Sequence, residues 1–458
     1  MFTIAAVGTN VCALPVGTVL DRYGPRVSGI ISSILLAAGC LLLAFAWDTK
    51  GRFDGYIAGY LLLALGGPFV FISSFQLSNT FPHYSGLILA LLTGAFDTSS
   101  AIFLIYRLIY ESTAGSFWPK KFFLAYLIIP AFILVVQLVI MPAQSYKTIS
   151  ELVKQVSQSE DAIDDSSSTN GTSNNPHRKS RRTTSVVSEV TKLLGTPDGS
   201  SQAQSQKQTQ LTSGVYGAMH GRTVLEQVLS PWWILITLFT ILQMLRINYF
   251  VATVRSQYTY LLHSRELAIQ INSFFDLALP LGGVVAIPFI GVVLDNTSTT
   301  FVLGLLAAIA TTIGVLGVLP YTWAAYANIV LFVVYRPFYY TAVSDYASRV
   351  FGFATFGKVY GLIICLSGLF NFAQSGLDAL THGTFENNPV PVNVILLVAA
   401  AVVGVLLVGF VWSQTRNRER VELEVEAEEA DERTMLMPGA DARAREDRHP
   451  VDVHAGGR

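Results

Sequence analysis

Residues 17–26 read G-T-V-L-D-R-Y-G-P-R and join two apolar stretches with almost no intervening polar sequence. A reduced copy, G-V-V-L-D-N at 291–296, occupies the same kind of boundary far downstream. The likeness extends upstream, because A-L-P-V-G-T-V-L-D (13–21) matches A-I-P-F-I-G-V-V-L-D (286–295) with one residue inserted. Two copies of a helix–tight-loop–helix unit imply two homologous halves. In a chain this apolar, they imply a fold built from repeated membrane bundles.

Composition supports lipid as the solvent. The chain is 52% hydrophobic and 13% charged, against about 25% charged residues in soluble domains. Much of the charge lies in two segments, 142–228 and 414–458, which leaves the remainder more apolar still. No basic stripe interleaved with aromatics is present, so nucleic acid is not an expected partner. Cys12, Cys40 and Cys365 fall inside apolar runs without metal or disulfide spacing and read as packing residues. No Walker element, metal cluster or Ser/His/Asp arrangement appears, so neither an ATP-driven pump nor a membrane enzyme is expected, and no cofactor is.

About 20 apolar residues are needed to cross the hydrocarbon layer. Eleven segments qualify: 2–20, 27–47, 55–79, 84–110, 121–141, 229–254, 268–294, 299–319, 322–347, 355–380 and 390–413. No basic n-region or cleavage site precedes 2–20, which therefore reads as a retained span. The second loop copy follows the second helix of its half, whereas the first copy follows the first helix in the chain. The expected fold is thus an all-α membrane protein of two bundles with 11 transmembrane helices, the first helix of a 6+6 plan missing. Its expected parts are a five-span bundle (1–141), a disordered linker (142–228), a six-span bundle (229–413) and a charged, disordered tail (414–458).

Basic residues near segment ends set the orientation. Arg22, Arg26, Arg349, Lys358, Arg416, Arg418, Arg420 and the linker's Arg178, Arg181 and Arg182 lie on one side. Lys50, Arg52, Lys120, Lys121, Arg255 and Arg265 lie on the other. The first set, with linker and tail, is expected in the cytoplasm. Residues 142–228 are rich in Ser, Thr, Gln and Asn without apolar periodicity, as in linkers that stay disordered. Within them, 223–229 reads as a short interfacial helix ahead of Pro231-Trp232-Trp233. R-R-T-T-S at 181–185 fits a basophilic kinase, and E-V-T-K-L-L at 189–194 has the spacing of an acidic dileucine sorting signal that a trafficking adaptor reads. The latter favours a vacuolar or endosomal address, and the expected location is the vacuolar or plasma membrane. The glycosylation patterns at Asn170 and Asn296 face the cytoplasm in this orientation and are expected to stay unmodified.

The loop at 17–26 resembles the signature of the major facilitator superfamily, Gly-x-x-x-Asp-Arg-x-Gly-Arg-basic. Gly17, Asp21, Arg22 and Gly24 fit; Pro25 replaces the first late basic residue and Arg26 supplies the second. The 6+6 plan extends the resemblance to nearly everything outside linker and tail. A narrower likeness lies in G-G-P-F-V-F-I-S-S-F-Q-L-S-N-T-F-P (66–82) and R-I-N-Y-F-V-A-T-V-R-S-Q-Y (246–258), which are similar to fungal members of solute carrier family 43. The resemblance implies movement of neutral amino acids or similar small solutes by alternating access, and a gate-latch role for the loop residues Gly17, Asp21, Arg22, Gly24, Arg26, Gly291 and Asp295. A proton-coupled carrier of a monocarboxylate or sugar, and a non-transporting scaffold on the same fold, stay open beside it.

The loop residues also have a physical logic. Gly17 permits close helix approach, Gly24 a tight reversal, and Asp21 can sit at a neighbouring helix N-terminus, where the macrodipole favours negative charge. Arg22 and Arg26 can pair with acidic groups or lipid phosphate.

Ionisable residues inside spans are costly unless paired or wetted. Asp97, Arg246, Asp276 and Arg336 are such residues, and Arg246 and Asp276 lie at matched depth on sequential helices, which suggests a pair. An amino acid needs an anchor for its carboxylate, an acceptor for its ammonium and an apolar pocket. Arg246 or Arg336 can serve the first need and Asp97 or Asp276 the second, with Gln243, Asn248, Asn371 and Gln374 supplementing either. Structural ion pairs locking the bundles are the competing reading. Ser73, Ser74, Gln76 and Asn79 read as packing hydrogen bonders. Pro280 with Gly282 and Gly283 marks 268–294 as the element best suited to bend.

Overall fold

The computed structural model describes residues 2–48, 54–75, 77–78, 84–113, 116–141, 214–352 and 355–436. The Gln76, Asn79, Arg178–Arg182, Asn170, kinase-site and dileucine readings lie outside them. Every regular element described is helical. In the first half these are α1 (Phe2–Val11), α2 (Ala13–Ala44), α3 (Gly55–Phe75), α4 (Ser85–Thr98), α5 (Ala101–Ser112), α6 (Pro119–Tyr126) and α7 (Ile128–Val139). The second half holds α8 (Val224–Val228), α9 (Pro231–Leu261), α10 (Arg265–Asn296), α11 (Thr299–Leu316), α12 (Thr322–Phe351), α13 (Phe356–Phe370), α14 (Ala373–Ala379), a π-helical turn at Leu380–Thr384 and α15 (Val390–Leu436).

Nine helices among the described residues are long and apolar enough to cross a membrane. The expected segments 2–20 and 27–47 share one of these, because helical structure resumes directly across Gly24 (φ 81°, ψ 175°). That conformation is open to glycine and closed to most other residues. Pro25 then occupies the first position of the outgoing helix, where its missing N–H is no loss. The expected segment 322–347 lies on α12, whose tyrosines, Asn328 and Arg336 leave it too polar to be among the nine.

Residues up to Gly409 form one compact unit; those from Phe410 form a second, helical through Leu436. Within the first unit, the two halves meet chiefly where α10 packs on α4 and α13 on α2. Small residues set both contacts. Gly357, Gly361 and Gly368 on α13 face Gly17, Ala13 and Asn10, and a Cβ on any of these glycines would collide with the opposing chain. At the other seam Gly283 lies against Gly94 and Asp97, and Gly291 against Leu87. This is the small-residue packing that membrane helices use where apolar burial gives no drive. Gly282 and Gly283 admit close neighbours, and α10 is helical for 32 residues through Pro280 and Pro288.

The disordered-linker expectation for 142–228 is corrected at its C-terminal end. Residues 214–228 fold onto the C-terminus of α12, where Gly217 and Met219 donate backbone hydrogen bonds to the carbonyls of Arg349 and Val350. Thr223 and Glu226 form a capping box on α8. Gln227, fully buried, donates to the carbonyls of Met219 and Phe351 and accepts from Thr355. The carbonyls that end α12 recruited this segment, a demand invisible in its polar composition.

Candidate functional site

Neither α4 nor α13 carries a side-chain cap at its own N-terminus. The free amides there are met from the opposite half. Asp21, at the end of the first span, accepts from the backbone N–H groups of Gly357 (3.0 Å) and Lys358 (2.9 Å). Asp295, in the second copy of the motif, accepts from those of Gly86 (2.8 Å) and Leu87 (3.2 Å). Both carboxylates therefore span the second and third amides of a helix in the other half, where the macrodipole is positive. Arg349 ties the two sites to one end of the molecule: it is held by Asp345 (2.8 Å) and donates to the Leu294 carbonyl (3.0 Å). Arg22 is exposed and lies over the Tyr23 ring. Arg26 donates to the Met141 carbonyl (2.8 Å), a backbone partner in place of the expected acidic or lipid group.

Away from these contacts, the halves enclose a cavity of about 240 Å³. The first half contributes Thr9, Asn10, Phe71, Thr93 and Phe96 to its wall, the second Met244, Tyr340, Tyr360 and Ile364. Thr93 is hydrogen-bonded across the seam to Thr341. Behind Phe96 and Tyr340 lies an ion pair between Asp97 and Arg336 at 3.3 Å. It is a loose pair, because neither Asp97 oxygen nor Arg336 Nε has an aligned hydrogen bond. Asn371, one helical turn past Gly368, is buried with both side-chain atoms unpartnered. Gln374 follows at the start of α14 and is half-buried.

The expected Arg246–Asp276 pair does not form. Arg246 points into the second bundle, donating to the Ala310 carbonyl (3.0 Å) and, weakly, to Gln243 (3.4 Å). Asp276 is exposed, accepts from Asn272 (3.1 Å) and has Arg107 as its nearest cationic influence. Matched depth on α9 and α10 could not fix rotation about each axis, and the two side chains leave on different faces. The partner of Arg336 is instead Asp97, far away in sequence. Sequence reasoning missed the wall residues Thr9, Asn10, Phe71, Thr93, Phe96 and Tyr360. Asn10 alone carried a signal, as an amide inside an apolar run.

The family model described as Major Facilitator Superfamily matches residues 1–374. Protein FMP42 of Saccharomyces cerevisiae is 46% identical over 425 residues, covering 90% of this chain and 84% of the yeast protein. Equilibrative nucleobase transporter 1 of Bos taurus is 23% identical over 92% of this chain and 83% of its own length. Large neutral amino acids transporter small subunit 3 of Homo sapiens is 30% identical, but over 24% of this chain and 20% of its own. The solved structure of the proton:xylose symporter XylE superposes with a TM-score of 0.57 at 16% identity, covering 90% of this chain and 84% of that one, a likeness of fold. The chain belongs to the major facilitator superfamily: it is an integral, multi-pass membrane transporter of a small solute and not an enzyme.

Proposed function

We propose that this chain moves neutral amino acids by alternating access, with the binding site in the cavity between bundles 1–141 and 229–413. One observation carries the reading: a loosely held pair of opposite charges, Asp97 and Arg336, stands directly behind an apolar, aromatic cavity walled by both halves. A zwitterion can exchange with such a pair, its ammonium going to Asp97 and its carboxylate to Arg336, while its side chain occupies the apolar wall. Asn371 and Gln374 extend the polar face of the route, and the partial likeness to a large neutral amino acid transporter supports the substrate class. The Asp21 and Asp295 contacts, with Gly17, Gly24 and Gly291 allowing close approach, act as paired latches on the cytoplasmic end. Segments 2–20 and 27–47, counted separately, together with α12, bring the spans to eleven.

A second reading has its own support. Phe71, Phe96, Tyr340 and Tyr360 line the cavity with four aromatic rings, which suits a planar heterocycle, and a relative of similar length is named a nucleobase transporter. Uptake by the full-length chain in proteoliposomes separates the two. Labelled leucine or phenylalanine should accumulate, unlabelled neutral amino acids should compete, and Asp97→Asn should abolish the signal. Uptake of adenine or uracil that persists in Asp97→Asn, with no amino acid uptake by the wild type, overturns the proposal in favour of the second reading.

A further inference from the structure

Of the two intramembrane arginines on α9 and α12, only Arg336 is neutralised. Among the described residues no carboxylate pairs with Arg246: Asp97 is committed to Arg336, and Asp276 turns away toward Asn272. A guanidinium taken out of water without a counter-charge is strongly unfavourable. Its surroundings are built for an anion. Arg246 borders a second cavity, of about 50 Å³, inside the bundle of α9, α11, α12 and α15. Two buried donors on its wall, Gln243 Nε2 and the Tyr335 hydroxyl, have no hydrogen-bond partner. Each belongs to a residue 2% exposed. Gly314 leaves room for the guanidinium, since a Cβ there would lie 2.7 Å from Arg246 Nη2. One orphan acceptor, Asn328 Oδ1, also borders the space. A water accompanying the ion would satisfy it.

A route leads there. A vestibule of about 760 Å³ shares Tyr249 and Gln257 with this cavity and is lined by Arg255, Arg265, His263 and His382. Arg255 and Arg265 make this mouth cationic, and such a mouth concentrates anions. The two spaces are separated by a polar partition in which Tyr249 bonds Thr381 (2.7 Å) and Asn393 donates to Gln257 (2.9 Å). Thr381 belongs to the π-helical turn, a departure from regular helix of the kind often found at functional sites.

We propose that the second bundle holds a small monovalent inorganic anion of the halide class, bound by Arg246, Gln243 and Tyr335 and admitted from this vestibule. The cavity accommodates a monatomic ion and a few waters and is too small for the transported solute. The site is separate from the Asp97–Arg336 pair and stands or falls independently of the substrate assignment.

The test uses the purified full-length chain in potassium gluconate, titrated with potassium chloride at constant ionic strength while the thermal midpoint is followed. Chloride and bromide should raise the midpoint saturably, and Arg246→Gln should remove the response. Tyr335→Phe, which keeps the ring, should weaken apparent chloride affinity about tenfold, as expected for one hydrogen bond to a charge. It also supplies the answer if Arg246→Gln does not fold. Equal midpoints in chloride and gluconate, wild-type chloride affinity in Tyr335→Phe, or a stronger response to acetate than to chloride would each overturn the proposal.

Discussion

At the scale of single residues, the charges inside the membrane decide most. Asp97 is 2% and Arg336 20% exposed at the side chain, so each depends on the other for neutralisation. Removing one partner leaves a buried charge without compensation, whereas removing both leaves a neutral cavity wall. Arg336→Gln alone should therefore destabilise the protein by about 3 kcal/mol, and Asp97→Asn alone in the same direction. The double variant Asp97→Asn/Arg336→Gln should recover most of the loss while remaining inactive. A thermal-midpoint comparison of the three variants in detergent checks this; a double variant no better than either single would mean that the loss comes from the missing pair itself and not from a stranded charge. That Asp97 and Arg336 need partners was legible in the sequence, because charge inside an apolar run stands out against its surroundings. Their partners were not. Helices apolar on every side give no rotational phase, so depth could be read from residue count while the direction of each side chain could not.

At the scale of elements, the motif at 17–26 announced a carboxylate beside a helix end without saying which helix. The receiving sites, Gly357 with Lys358 and Gly86 with Leu87, are bare backbone N–H groups and leave no side-chain signature. The absence of Ser, Thr, Asp or Asn capping bonds at those two N-termini is visible only in three dimensions. The reciprocal arrangement gives each bundle a hold on the other, and capping interactions of this kind contribute about 1 kcal/mol. Asp21→Asn or Asp295→Asn should thus lower the population with this end closed about fivefold relative to the open form. With Thr93→Cys as a reporter on the cavity wall, the latch variants should label about fivefold faster with a water-soluble maleimide than Thr93→Cys alone. Gly17→Ala should act the same way and more strongly, because the added methyl meets the Gly357 carbonyl and the helices must part. Labelling rates unchanged in all three variants would show that these contacts do not govern opening.

At the scale of the whole molecule, the repeat carried the most information, because homologous halves fix topology even where local propensity is mute. Residues 21 and 295 lie at the same end of the bundle, joined through Arg349 and through Gln227, which bonds both Phe351 and Thr355. Helix α11 then makes a single crossing, so the α11–α12 connection around Tyr321 emerges at the opposite end. From the charge bias along the sequence we expect the first end in the cytoplasm. A direct check follows from side chains at the two ends: Tyr23 is 52% and Tyr321 54% exposed, and Asn296 is exposed as well. The native Cys12, Cys40 and Cys365 are all buried and should stay silent. In right-side-out membranes an impermeant maleimide should modify Tyr321→Cys, and should reach Tyr23→Cys and Asn296→Cys only after permeabilisation. Asn296 should correspondingly carry no glycan despite its sequence pattern. Labelling of residues 23 and 296 from opposite sides would contradict the two-bundle symmetry itself, whereas labelling of both from outside would keep the symmetry and invert the protein in its membrane.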